Sequence, residues 1–339
     1  MLSAFNFNRR LSVVAGIAAI TGCLGIPVCA TAQPYPNKPI TLIAPTAAGG
    51  PVDVTARLVA SEMSTILRQR VVVENRPGAS QKIGIQGLLR APRDGYTFAA
   101  ASGASLTINP LLDRALGYDP LKDFTLLSYA IEIPTMLVVN PSVPAHSLGE
   151  LVAYAKANPG KLSYGSGGNG TSLHFSTAAL LSMLGITALH VPYKSSGPAF
   201  LGLLGGAISI LMPDIGTAKS QVSNGKLLAL AISGTKRSEE FPNVPIFSET
   251  GIPGLKDYDG YKQWVGFIAA AGIPQEAATM LQGALDQALR APKVKEAFGT
   301  MGFPVIGSTP QQFAAQLRSE LEYNQKMMDS GVVNLHDSK

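Results

Sequence analysis

The chain has 339 residues, of which 46% are hydrophobic and only 14% charged, against about 25% charged in an ordinary soluble protein. That excludes intrinsic disorder and gives room for about two domains whose cores need no disulfide or metal. The net charge is +5, but Arg9 and Arg10 lie in a removable leader and no acid precedes Asp53, so residues 33–339 hold 25 basic against 22 acidic side chains. So small an excess, with no clustered basic stripe, argues against a nucleic-acid partner.

Residues 1–32 have the form of a secretory signal. Arg9-Arg10 supply the positive start, residues 11–26 the apolar stretch, and Ala30-Thr31-Ala32 a small-residue cleavage site, with the cut expected after Ala32. The apolar stretch is shorter than a spanning helix needs, as is the next apolar run at 199–211, so the mature chain is expected to have no transmembrane helix. Cys23 and Cys29 both fall in the leader, which would leave the mature chain without cysteine. Ile20-Thr21-Gly22-Cys23 also fits a relaxed lipoprotein box that would retain a lipidated Cys23; the twin arginines are followed by Leu11-Ser12, which favours ordinary export.

Beyond the leader, short apolar strands alternate with amphipathic helices, the pattern of mostly parallel α/β sheets covered on both faces. Residues 40–44 predict a strand and 51–67 a helix, with Pro51 at its first position and Asp53 in its first turn, where a carboxylate suits the helix dipole. Strands follow at 71–73 and 96–101, with a turn at Arg76-Pro77-Gly78. A second series begins near 136–139. Ser147 and Glu150 form a capping box for a helix ended by Asn158-Pro159-Gly160. Strands at 161–164, 187–191, 207–211 and 227–232 alternate with helices at 171–184 and 198–204. Residues 240–261, rich in Pro, Gly, Asp and Tyr, suggest a return connection between domains. A strand at 264–269 and helices from Pro274 and Pro310, the latter capped by Thr309, close the chain. These helices have no strand series of their own and are expected to pack on the first domain, giving two lobes between which the chain crosses more than once.

Three loops combine glycines or hydroxyls with a strand end and a helix start, a design in which free main-chain N–H groups and the helix dipole hold an anion. The first is Ala47-Ala48-Gly49-Gly50 and the second Gly165-Ser166-Gly167-Gly168-Asn169-Gly170, which leads into Thr171, Ser172 and His174. The third is Tyr193-Lys194-Ser195-Ser196-Gly197. Each also reads as an ordinary strand-to-helix turn. The second has the G-x-G-x-x-G form of a dinucleotide loop, but no Asp or Glu occurs between Glu150 and Asp214 to hold a ribose, and Lys156, Lys161 and Lys194 are the only charged residues there. A mildly positive second lobe suits small anions.

Enzyme readings find little. His146, His174, His190 and His336 show no metal spacing and read as structural or surface residues; there is no G-x-S-x-G elbow and no Walker lysine. His190 with Ser195 or Ser196 makes a conceivable base and nucleophile, without an orienting acid nearby. Asp214 reads as a helix cap, and Trp264, the single tryptophan, as core or as the wall of a cleft.

In order along the chain, Tyr35-Pro36-Asn37-Lys38-Pro39-Ile40, Gly49-Gly50-Pro51-Val52-Asp53, Val72-Val73-Glu74-Asn75-Arg76-Pro77-Gly78-Ala79, Asp94-Gly95-Tyr96-Thr97, Ile108-Asn109-Pro110, Gly168-Asn169-Gly170-Thr171-Ser172-Leu173-His174, His190-Val191-Pro192-Tyr193-Lys194 and Trp264-Val265-Gly266 together resemble the substrate-binding proteins of tripartite tricarboxylate transporters, the Bug family. The resemblance implies an α/β Venus-flytrap periplasmic binding protein, with 33–135 plus 253–339 as one lobe and 136–252 as the other. It implies no enzyme activity and no cofactor. A small organic acid would be held between the lobes by Ala48, Gly49 and Asp53 on one side and Ser166, Gly167, Thr171, Ser172 and His174 on the other, with Tyr193 and Lys194 nearby. The expected partners are membrane permease subunits, with a sensor kinase as the alternative and a secreted enzyme as a third reading; the chain is expected to be a monomer. Thr46-Ala47, Ser80-Gln81-Lys82, Leu106 and Pro213 depart from the family pattern at the end that reads the rest of the ligand, so no particular acid is inherited by analogy.

Overall fold

The computed structural model describes residues 35–113, 115–261 and 263–329; the leader with its two cysteines, and His336, lie outside them. Among the described residues no helix is long and apolar enough to cross a membrane.

The first sheet has the order β2-β1-β3-β10-β4, built from β1 (Ile40–Ala44), β2 (Val71–Asn75), β3 (Thr97–Ala101), β4 (Phe124–Ile133) and β10 (Gln263–Ala270). β1 pairs in parallel with both β2 and β3, whereas β10 lies antiparallel between β3 and β4. The second sheet has the order β7-β6-β8-β5-β9, from β5 (Met136–Val139), β6 (Ser163–Ser166), β7 (Leu189–Pro192), β8 (Ile210–Leu211) and β9 (Leu228–Ile232). Here β6 is parallel to β7 and β8, and β5 lies antiparallel between β8 and β9.

The sheets are therefore mixed where mostly parallel ones were expected, each with two parallel and two antiparallel pairings. The cause is the crossing chain. Each sheet takes in one strand delivered directly from the other, β5 arriving from β4 and β10 from β9, and such a strand enters at the edge where its neighbours end. The α/β class and the two-lobed architecture stand.

Helices cover the sheets much as the sequence predicts. α1 (Pro51–Leu67) buries Val52, Ala56, Val59, Ala60 and Met63. α4 (Leu148–Ala157) is capped by Ser147, whose Oγ accepts the Glu150 N–H at 3.1 Å; the Glu150 carboxylate reaches one residue further, to the His146 N–H, so half of the expected capping box forms. α5 (Ser172–Met183), α6 (Ser196–Leu204) and α7 (Ile215–Ser223) serve the second sheet, and α7 is capped by Asp214 at 2.8 Å from the Thr217 N–H, as its sequence suggested. α8 (Gln275–Arg290) packs on α1 and β4, α9 (Pro292–Thr300) follows it, and α10 (Pro310–Asp329) lies on β4, so the tail helices do cover the first sheet. Thr309 and Gln312 make a complete reciprocal cap for α10.

The sequence reading has no counterpart for β4, α2 (Lys82–Leu89), α9, or the pair formed by a π-type turn at Ala104–Ile108 and the short α3 (Asn109–Leu112). β4 is buried along most of both faces, so it lacks the alternation that betrays a strand.

Only Pro134 and Thr135 join β4 to β5, and two linking residues reach no further than about 11 Å. The carboxyl-terminal edge of the first sheet must therefore abut the carboxyl-terminal edge of the second. The return crossing is tied to this link: Thr135 receives the Ser233 N–H at its carbonyl at 2.9 Å, donates its own N–H to Ser233 Oγ at 2.7 Å, and donates its hydroxyl to the Tyr261 carbonyl at 3.0 Å. The two crossings form one buried strap between the lobes.

Candidate functional site

The predicted loops lie at the carboxyl-terminal edges of the two sheets. On the first sheet, the 45–50 loop leaves β1 with Ala47, Ala48 and Gly49 exposed, and Gly49 adopts φ +89°, a left-handed conformation that glycine alone tolerates easily. Asp53 fixes this loop from below. It is 2% exposed, and its carboxylate accepts the Gly49 N–H at 2.9 Å, Arg57 Nε at 3.0 Å and Asn75 Nδ2 at 2.7 Å, while Asn75 also donates to the Thr46 carbonyl. Burial pushes the Asp53 carboxyl up, but the bonds from Arg57, Gly49 and Asn75 outweigh it and hold the group below its ordinary 3.8. Asp53 thus orients the loop by taking the Gly49 N–H inward, and the residues Ala48 and Gly49 are left exposed.

On the second sheet, Ser166 ends β6 fully buried. Its Oγ accepts the Gly168 N–H at 3.1 Å and lies 2.7 Å from His190 Nε2 on the adjacent β7. Thr171 caps α5, accepting the His174 N–H at 3.3 Å and donating its hydroxyl to the Gly168 carbonyl at 2.8 Å. His174 is buried, and its Nδ1 accepts the Gly170 N–H at 3.2 Å, so the neutral ring carries its proton on Nε2. Its ring stacks on His190, which in turn stacks on Tyr164. Burial, with His190 beside it, pushes His174 down to about 4, and burial lowers His190 as well. The glycine loop is therefore braced from inside by two uncharged imidazoles and two hydroxyls.

The third loop joins the second. The Tyr193 N–H donates to the Ser166 carbonyl at 3.0 Å, and a Cβ placed on Gly167 would lie 3.2 Å from the Ser196 amide nitrogen at the start of α6. Gly167 has to be small for this approach. The Tyr193 ring folds back over Gly202, and Lys194 is exposed beside the α6 start. Ser172 is buried in the first turn of α5.

Sequence reasoning missed three sets of contacts. His190 is the partner of Ser166, and not of Ser195 or Ser196. Arg57 and Asn75 brace Asp53, a role that neither shows alone. The 79–81 segment reaches across the lobes, where Ser80 Oγ lies 3.5 Å from the Asn169 carbonyl and Gln81 accepts the Ser102 hydroxyl at 2.9 Å. Among the described residues no three His, Cys, Asp or Glu side chains group so as to hold a metal ion.

A family model described as "Tripartite tricarboxylate transporter family receptor" matches residues 55–331. Protein BugT of Bordetella pertussis (strain Tohama I) is 33% identical over 318 residues, 94% of this chain and 95% of its own. The solved structure of periplasmic binding protein BugD is 30% identical with a TM-score of 0.77 and covers 88% of this chain and 99% of its own. Rpa4515 of R. palustris, solved with adipate, is 29% identical with a TM-score of 0.79 and covers 87% and 97%.

Proposed function

The chain belongs to the tripartite tricarboxylate transporter receptor family, a family of ligand-binding receptors, and from that premise we propose that it captures a small organic acid in the periplasm and delivers it to the permease subunits of such a transporter. The observation that supports this reading is that the two sheets turn their carboxyl-terminal edges toward each other and each edge carries a glycine loop that opens a helix. Adipate, held by the relative Rpa4515, belongs to the same ligand class.

In this reading the lobes are 33–135 with 253–339, and 136–252, hinged at the strap through Thr135 and Ser233. A carboxylate bridges the exposed main chain of Ala48 and Gly49 and the second-lobe loop of Gly167 and Ser172, with Tyr193 and Lys194 at the rim. Asp53, Ser166, Thr171 and His174 act by fixing the loops, since they are already engaged with the Gly49, Gly168, His174 and Gly170 N–H groups respectively. Ligand binding to both lobes shifts the population toward the closed state. Residues 1–32 direct export, the exported chain works as a monomer, and it performs no catalysis. Docking on a sensor kinase is the second reading.

The test is thermal unfolding of the exported protein, freed of carried-over ligand by unfolding and refolding, against mono-, di-, tri- and aromatic carboxylates and their amides. A true ligand at about 1,000 times its Kd adds roughly 4 kcal/mol and raises Tm by several degrees. A flat response across the panel overturns the proposal. Cross-linking of the loaded protein in cells then separates permease from kinase, and turnover of test esters would revive an enzyme.

A further inference from the structure

The largest concentration of unused polar chemistry lies outside the loops described so far. A cavity of about 400 Å³ opens between α10, the ends of β4 and β10, the connection at 257–261, and the face of α5 that carries Phe175 and Ser176. None of the ten predicted site residues lines it. Its walls are aromatic: Tyr129, Phe175, Tyr258, Tyr261, Trp264 and Tyr323. Its charged lining is wholly acidic among the described residues, namely Glu132, Asp257, Asp259 and Glu320.

Two side chains point to an occupant. Glu320 accepts the Trp264 indole N–H and the Thr107 hydroxyl, each at 2.7 Å, and has no salt bridge to a cation among the described residues. Burial pushes its carboxyl up to about 7, against the lowering effect of those two bonds. Four residues along the same helix, Asn324 is 0% exposed, and neither its Oδ1 nor its Nδ2 has a partner. Buried carboxamides are nearly always satisfied, so an orphaned one lining a cavity calls for a group that fills both roles.

We propose that this cavity is a second binding site, for a small organic ammonium cation that also carries a hydroxyl group. Acids on aromatic walls attract a cation through charge and through the ring faces together, and they repel the organic acids taken by the main site. One ammonium N–H donates to Asn324 Oδ1 and another to a free lone pair of Glu320, while the hydroxyl oxygen of the same molecule accepts from Asn324 Nδ2. The volume exceeds what a bare metal ion fills and lies within the range of small-molecule pockets. Because α5 belongs to the second sheet's layer and α10 to the first, the cation touches both lobes.

Trp264, the single tryptophan of the chain, lines the cavity and reports on it directly. The experiment titrates the exported protein with ethanolamine hydrochloride and with 1,4-diaminobutane dihydrochloride, following Trp264 emission against sodium chloride at matched ionic strength. Saturable change with an amine and none with sodium is expected. Asn324→Leu and Glu320→Gln should each weaken binding at least 10-fold, Asp257→Asn at the exposed rim about 3-fold, and Glu322→Gln on the outer face of α10 not at all. Because Asp257 is exposed, its variant decides the matter even if the two buried substitutions fail to fold. No saturable change with any amine, an equal response to sodium, or a titration unmoved by all the cavity variants would overturn the proposal. An organic acid titrated in parallel reports the main site, so failure there is read separately.

Discussion

The imidazoles of His174 and His190 stack with centroids 3.8 Å apart and planes within 6° of parallel, though they stand on a helix and a strand of different loops. Two rings at that distance cannot both be charged in a buried setting. The folded state therefore disfavours protonation, whereas the unfolded chain takes up protons near 6.5. Stability is complete above 6.5 and declines as pH falls toward about 4; for His174 alone the interval corresponds to about 3 kcal/mol. Melting curves from pH 7.5 to 4.5 should show this loss. Asn in place of His174 keeps an acceptor for the Gly170 N–H, so His174→Asn should flatten the curve; an equally steep one would mean that other groups set the acid limit.

Asp53 is expected to act on affinity through the loop it braces. Asp53→Ala removes the acceptor of the Gly49 N–H and leaves Asn75 Nδ2 with only the Thr46 carbonyl. The expected cost is about 1–3 kcal/mol of stability, with a fall of 10-fold or more in organic-acid affinity. Calorimetric titration of the refolded variant checks both, and unchanged affinity would detach this loop from the site.

The two glycines of the first loop should behave differently. Gly49 sits at φ +89°, and any side chain there meets backbone strain of about 1–2 kcal/mol even though the space is open. Gly50, at φ −80°, also has open space around it and caps α1. Gly50→Ala should melt within about 2 °C of the parent while Gly49→Ala falls further, as differential scanning calorimetry would resolve.

Ala79, Ser80 and Gln81 form a run of left-handed, non-glycine residues at φ 45°, 48° and 79°. Strain of this kind gathers where a loop must present particular side chains, and here the run places Ser80 toward Asn169 and Gln81 against Ser102. Ala79→Gly should raise Tm by about 2 °C through relief of about 1 kcal/mol, with little change in affinity. Ser80→Gly should relieve similar strain yet alter the ranking of acids in the binding panel. If the ranking is unmoved, this segment does not read the ligand.

What the sequence by itself determined is local. The strand at Ile40–Ala44, the helix at Pro51–Leu67, the caps at Ser147, Asp214 and Thr309 and the glycine loops at strand ends follow from spacing and cap chemistry, which act within a few residues. β4 escaped because burial on both faces erases its alternation, and the antiparallel insertions of β5 and β10 escaped because no local pattern tells a strand which edge to enter. Only the tertiary structure decided partnership. Ser166 meets His190 across 24 residues, Asp53 meets Asn75 across 22, and the cavity beside Trp264 draws its walls from positions between Tyr129 and Asn324. Such contacts depend on which strands share a sheet and on where the chain crosses between lobes, and that is settled by packing the whole chain at once.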